Sequence, residues 1–434
     1  MAILGICVFT VYVAVFYPGY LTADTVYMLY QTNGMSEFSN WHPVFSTTFF
    51  GYMYDIFSDT GPIWVLQVLL LISVALMISY RIKNILLSSM CFLFLTAFPP
   101  VMTNIGALWK DCFASIWLLF SVFYFIEYRK SKSIFDSLLV FLFSLLAGLT
   151  RTDYIAISLP FILFLPIIYL HTNNKVNLVK SKMMINAAIY VLVYIFLLHV
   201  INAYLYNRVT KELNPWVTIA SWDIAGISYF SGSQEYITSY NCKTSDSLVW
   251  GDSSKFVINL PEEEIIHDKD EESNIFKKMW LDSVVSSPQA YLLHRACVAK
   301  RFLGFGEVTY PYPPPIASNN IFSEGFKRSP LNLDIYWFFD DSKNQVLYKY
   351  WIYLLIALLI VGLKGYLKVL SLVDGAVFLS IMFCAARVLV LPATDFRYGL
   401  WIIFGTIILF FLSLDYFTEK MISFRAKIGF LSRN

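Results

Sequence analysis

Residues 44–57 read VFSTTFFGYMYDIF, and the topology of the whole chain turns on them. The run is apolar enough to count as a membrane span, yet it carries Ser46, Thr47, Thr48 and Asp55. Counted as a span, it puts Arg81-Lys83, Arg129-Lys130-Lys132 and Lys175-Lys180-Lys182 on the outer side. Left as a helix lying at the interface, it puts all three clusters in the cytoplasm. Lys364, Lys368 and the basic C-terminal residues Lys420, Arg425, Lys427 and Arg433 join them there. Cytoplasmic loops carry the excess of Lys and Arg, so the interfacial reading wins and predicts ten spans with both termini cytoplasmic.

Composition agrees with that class. The 434 residues are 58% hydrophobic and 14% charged, with mean hydropathy +0.60. Soluble domains carry about a quarter charged residues, so an all-α polytopic membrane protein is expected. The net charge of +2 says little alone. No basic stripe interleaved with aromatics occurs, which argues against nucleic acid as a partner. Apolar runs lie at 1–17, 62–80, 85–99, 112–127, 134–150, 154–170, 183–201, 346–363, 369–391 and 399–416. Several are shorter than the roughly 20 residues needed to cross hydrocarbon, so their ends extend into the flanks. The first run lacks a basic n-region and a small-residue cleavage site and reads as a retained span. The lack of charge before it leaves a shortened N-terminus as the other reading.

Three parts follow. Residues 1–201 form a transmembrane module whose first outer loop is 18–61, residues 202–345 form one large outer domain, and 346–434 form the last spans and a cytoplasmic tail. Short outer turns fall at 100–111, 151–153 and 392–398. In the large domain, Ser287-Pro288 predicts an N-cap and a first-position proline, opening a helix to about Phe302. The acidic run from Glu262-Glu263-Glu264 to Glu272 reads as solvated surface, and Tyr310 to Pro315 as an extended linker or lid. Cys242 and Cys297 share this loop. They pair if the compartment is oxidising; two unpaired thiols are the alternative.

The polar clusters nearly all sit at the outer ends of the spans. They are Asp24, Trp41-His42-Pro43, Trp109-Lys110-Asp111, Arg151-Thr152-Asp153, Asp223, His294-Arg295 and Asp395-Phe396-Arg397-Tyr398. Chemistry gathered on one face suits an enzyme working there, whereas a conduit needs polar residues through its depth. Thr22 is placed to N-cap a short helix with Asp24 in its first turn, and Met28 and Gln31 on the same face. Asp24 then either complements the helix N-terminus or accepts a proton from a hydroxyl nucleophile. Trp41 and Pro43 suit an interface anchor and a helix start, with His42 able to meet substrate or the base. Lys110 beside Asp111 makes either a local ion pair, worth under about 1 kcal/mol, or a phosphate ligand at headgroup level. Arg151, Arg387 and Arg397 run against the positive-inside bias. Either an anionic lipid phosphate, matched by the planar guanidinium fork, or the carboxylates Asp153 and Asp395 would account for them. Tyr291 and Arg295 share a helix face, and Arg295 is the outer-domain residue expected to reach the site. Asp223 has no assigned role.

Asp24 after Tyr17-Pro18-Gly19, the Trp41-His42-Pro43 helix start and the Trp109-Lys110-Asp111 turn together resemble GT-C glycosyltransferases. So do Arg151-Thr152-Asp153, the large late outer domain and Asp395-Phe396-Arg397-Tyr398. The resemblance covers nearly the whole chain. In size and in its single large loop the chain is similar to bacterial serotype-converting O-antigen glucosyltransferases. The resemblance implies a GT-C-like fold with interfacial helices in the first outer loop. It also implies an inverting sugar transfer, glucose favoured, from a polyprenyl-phosphate carrier to a glycan such as the O-antigen of lipopolysaccharide. The site would face the periplasm from a bacterial inner membrane. Asp24 matches the catalytic base; Lys110, Arg151 and Arg397 would hold the donor phosphate; His42, Asp111, Asp153 and Arg295 would contact donor or acceptor. Some members carry an acidic pair in the first loop. Here Glu37 is thirteen residues from Asp24 and Thr25 is its neighbour, so no metal is assigned. A divalent cation between Asp24 and Asp111 is the alternative arrangement. The competing functions are a lipid-linked oligosaccharide flippase or other transporter, and a non-catalytic assembly partner.

Overall fold

The structure, a computed structural model, describes residues 1–171, 179–233, 269–306, 322, 330–391 and 394–431. The Tyr310 to Pro315 segment, the start of the acidic run and Cys242 lie outside them. The N-terminal part contains α1 (Ala2–Phe16), α2 (Ala23–Thr32), α3 (Val44–Phe57), α4 (Gly61–Ser79), α5 (Ile85–Thr96) and α6 (Pro99–Ile105). After them come α7 (Lys110–Ser131), α8 (Ile134–Thr150), α9 (Tyr154–His171) and α10 (Val179–Tyr206). The large outer segment contributes α11 (Pro215–Ser231), α12 (Lys269–Ser286), α13 (Pro288–Phe302) and α14 (Pro330–Ser342). The chain closes with α15 (Tyr350–Tyr366), α16 (Leu372–Ala386) and α17 (Leu400–Leu431).

Each of the ten expected apolar runs falls on a helix. By length and composition, five helices among the described residues are able to cross a membrane, or six if the bent pair α5–α6 counts as one. The other four runs are shorter apolar helices: Ala2–Phe16, Ile134–Thr150, Tyr154–Tyr169 and Tyr350–Tyr366. The α5–α6 pair bends by 43°, because Pro99 and Pro100 supply no amide to continue the ladder and instead start a new helix. The deciding stretch, α3, is a 14-residue helix, about 21 Å long against a hydrocarbon core of about 30 Å. It packs against α2 and is not among the helices long enough to span. The run at 346–363 is corrected at its start. Val346–Tyr348 is a separate 3-10 turn, and the helix begins at Tyr350.

Local signals explain several element ends. Thr22 caps α2 by accepting from the Thr25 amide at 3.4 Å. Asn84 accepts from the Leu86 and Leu87 amides at the start of α5. Pro288 opens α13, which runs to Phe302 as expected, but Ser287 makes no side-chain cap. Helix α7 is central: 83% of its apolar window is buried, against 11% for α10. Hydroxyls pin it to its neighbours, Ser121 to Ser144 of α8 at 2.8 Å and Ser115 to Tyr154 of α9 at 2.6 Å. The rigid start of α7 therefore makes a firm base for Lys110 and Asp111.

Candidate functional site

Two dipeptides bring the site together. β1 (Tyr20–Leu21) pairs in parallel with β2 (Ala107–Leu108), with Tyr20 opposite Ala107 and Leu21 opposite Leu108. One strand leads into α2 and Asp24, the other into α7 and Lys110, so their register sets the meeting of the two side chains. The Thr25 hydroxyl donates to the Leu108 carbonyl and reinforces the join. Gln67 of α4 braces β2 from below. Its amide donates to the Ile105 and Ala107 carbonyls at 3.1 and 2.9 Å, and its carbonyl accepts from the Trp109 amide at 3.4 Å.

Asp24 Oδ2 accepts from Lys110 Nζ at 2.8 Å and from Arg397 Nη1 at 2.9 Å. Of the two readings of Lys110, the local pair with Asp111 gives way to a pair between elements. Arg397 also meets Asp395 at 3.0 Å. Asp111 turns to Arg151, and Arg151 Nε donates to both oxygens of Asp153 at 2.8 and 3.1 Å. Arg387 pairs with Asp153 and donates to the Tyr398 carbonyl at 2.7 Å. Four cations thus face four carboxylates in one cluster. Asp24 and Asp111 each turn to different cations rather than to one another. Among the described residues, no group of three or more His, Cys, Asp or Glu side chains is placed to hold a metal ion.

A cavity of about 410 Å³ opens onto this cluster. Asp24, His42, Lys110, Arg151 and Asp153 line it, together with Trp41, Pro43, Thr152, Arg387 and Tyr398. Pro215 and Ile219 of α11 and the segment Val390-Leu391 add an apolar wall. Of the residues given a role in the sequence reading, Asp24, His42, Lys110, Arg151 and Asp153 line the cavity directly. Arg397 and Asp111 stand behind it as partners of lining residues.

Burial opposes ionisation of Asp24, but Arg397 and Lys110 overcome it and hold its carboxyl well below the usual carboxylate range. Asp153 is lowered in the same way, burial being outweighed by Arg151 and Arg387. Burial pushes the His42 imidazole down to about 3, with Lys110 adding to the effect. At neutral pH His42 is therefore uncharged, with one nitrogen to donate and one to accept. Its ring packs edge-on against Tyr27 at 5.9 Å.

Arg295 does not line the cavity. It bonds Asp223 at 2.7 Å and donates from Nη1 to the Leu391 carbonyl at 3.1 Å. Asp223 is fully buried and also meets His294 at 3.2 Å and the Trp280 indole at 2.8 Å. Gly226 lets α11 approach α13 this closely, since a Cβ there would lie 2.0 Å from His294 Nδ1. Arg295 thus reaches the site through the backbone of a lining residue, and Asp223 gains a role that sequence left blank. Cys297, two residues further on, is disulfide-bonded.

Gln67, Arg387 and Tyr398 carry more of the site than the sequence reading assigned them. A lone amide within an apolar span was the available signal for Gln67, and Tyr398 adjoins Arg397 in a motif already noticed. Ile219, Val390 and Leu391 had no signal, being apolar residues in an apolar chain. No protein-family model, curated protein or solved structure matches this chain.

Proposed function

We propose that the chain is an inverting glycosyltransferase that takes a sugar from a polyprenyl-phosphate carrier. The proposed fold is GT-C-like, with ten crossings and α3 lying at the interface. The observation that carries the reading is Asp24 at the wall of a cavity, bonded through one oxygen to the two cations Lys110 and Arg397. A carboxylate so held is a weak base. A lipid phosphate entering the cavity competes for the same two cations. As Lys110 and Arg397 turn to the phosphate, Asp24 loses the charges that depress it and becomes basic where the acceptor hydroxyl would lie. The acceptor oxygen then attacks the anomeric carbon as the bond from that carbon to the phosphate oxygen breaks. The electron pair leaves with the phosphate, the hydroxyl proton goes to Asp24, and the cations stabilise the departing charge.

The disulfide at Cys297 supports an oxidising compartment for the large outer segment, which agrees with the positive-inside argument for an outward-facing site. In this reading the site faces the periplasm of a bacterial inner membrane, glucose is the favoured sugar and an O-antigen glycan the favoured acceptor. The test is sugar transfer in membranes containing the chain, given labelled polyprenyl-phosphate-glucose and O-antigen acceptor, wild type beside Asp24→Asn. Transfer that vanishes in a folded, inserted variant supports class and base together. Transfer that survives keeps the enzyme and rejects the base. No transfer by wild type removes this donor and acceptor pair.

A further inference from the structure

Tyr398 lies where three guanidinium groups converge. The Cζ atoms of Arg151, Arg397 and Arg387 stand 4.4, 5.2 and 5.6 Å from the centre of its ring. Their carboxylate partners are spread out: Asp111 and Asp153 reach Arg151, Asp153 also reaches Arg387, and Asp24 and Asp395 reach Arg397. The ring is what the three share. Like charges repel, and partner acids in separate elements would draw the cations apart. The negative face of an aromatic ring attracts each guanidinium without neutralising it, so the charges remain available to an anion.

The ring is itself firmly placed. Phe396 stacks on Tyr350 at 4.9 Å with the planes 8° apart, and the Tyr350 hydroxyl donates to the Phe396 carbonyl. Arg387 holds the Tyr398 carbonyl at 2.7 Å. Tyr398 is 4% exposed and forms part of the cavity wall.

We propose that Tyr398 is a positioning residue whose aromatic ring gathers Arg151, Arg387 and Arg397 into one site for a lipid-linked phosphate. This rests on reading the cavity as a phosphate site, though not on sugar transfer. Arg387 thereby joins the anion-binding set. Arg397 also bonds the Tyr398 hydroxyl, so the share of the ring is read by comparing two rings that both lack it.

The experiment measures binding of radiolabelled farnesyl phosphate to the full chain purified in detergent. It compares wild type, Tyr398→Phe, Tyr398→Leu and replacement of Tyr398 by pentafluorophenylalanine, which keeps the ring's shape and reverses its quadrupole. Tyr398→Phe, which loses only the hydroxyl, is expected to keep binding, and the other two to bind roughly ten- to a hundredfold more weakly than Tyr398→Phe. Where transfer is measurable, the donor KM rises in the weakened variants and the acceptor KM stays. A merely structural role would not separate two rings of the same shape. An affinity in the pentafluoro variant equal to that of Tyr398→Phe overturns the proposal even if Tyr398→Leu fails to fold. So does absence of farnesyl phosphate binding by wild type. Ring-dependent binding without sugar transfer would keep this inference and reject the glycosyltransferase reading.

Discussion

Asp24 and Lys110 lie 86 residues apart in the chain and 2.8 Å apart in space. The parallel pairing of Tyr20-Leu21 with Ala107-Leu108 brings them together, since each strand ends just before the residue concerned. A slip of one residue would turn Leu108 to the opposite face and shift the start of α7, which carries Lys110. The shortest sheet possible thus sets the position of the proposed base against its first cation.

Asp24→Asn should lower turnover by about two to four orders of magnitude if Asp24 takes the hydroxyl proton. Because the carboxylate also competes for Lys110 and Arg397, the variant should bind farnesyl phosphate at least as tightly as wild type. Paired transfer and binding measurements check both halves. Weaker phosphate binding in Asp24→Asn would contradict the exchange of cations between acid and phosphate.

Stability should fall on mild acidification, and His42 should contribute. Its folded-state value is about 3 against an ordinary 6.5. Between these values the unfolded chain takes up a proton that the folded chain refuses. Stability is therefore lost as pH falls below 6.5, by about 1.4 kcal/mol per pH unit from this group. The lowered carboxyls of Asp24 and Asp153 act elsewhere. Their stabilisation is full above the unfolded carboxylate value of about 4, declines as pH falls below it, and is gone once pH has fallen through their own lower values. His294, also lowered by burial, adds to the loss as pH falls below 6.5. His42→Gln should make the thermal midpoint less sensitive to pH between 6.5 and 4.5; an unchanged slope would contradict the buried neutral imidazole.

Gln67→Leu removes three hydrogen bonds around β2 while preserving bulk. Leaving buried backbone groups without this partner should cost about 1–3 kcal/mol. Displacement of Lys110 should lower transfer roughly tenfold or more. Gln67→Glu, which keeps the acceptor for the Trp109 amide but loses the donors, should not restore function. Thermal unfolding in detergent and transfer assays measure the two effects.

Gly399→Ala should act on Arg397 from a distance. A Cβ at this position would lie 2.3 Å from the Tyr350 ring, and Tyr350 stacks on Phe396, the residue before Arg397. Overpacking of this kind costs about 1–3 kcal/mol. Reducing Tyr350 in the same chain, as Tyr350→Leu, should recover part of the donor KM lost in Gly399→Ala. No recovery would show that the segment is held by something else.

The apolar runs were legible because membership in a buried helix depends on neighbours along the chain. The Thr22 cap, the proline break after Ala97-Phe98 and the 14-residue limit of α3 are of the same kind. The one misread start, at Val346, lies where apolar residues alone do not separate a 3-10 turn from the helix that follows. Much of the cavity lining was legible too, since Asp24, His42, Lys110, Arg151 and Asp153 are polar residues at the ends of apolar helices. Their partners were not. Nothing local to Lys110 points to Asp24 rather than its neighbour Asp111, and nothing local to Arg295 points to the Leu391 carbonyl.

From its amino acids alone, then, this chain determined where its helices lie and which of their ends are charged, because hydropathy and capping act over one or two turns. The tertiary structure alone decided which acid holds which cation. Asp24 meets Arg397 across 373 residues, and Arg295 meets Leu391 across 96. Such pairs depend on strand register, on Gly226 and Gly399 admitting close neighbours, and on the Tyr398 ring. A few ångströms at a helix end, beyond the reach of any local pattern, separate a surface ion pair from a site.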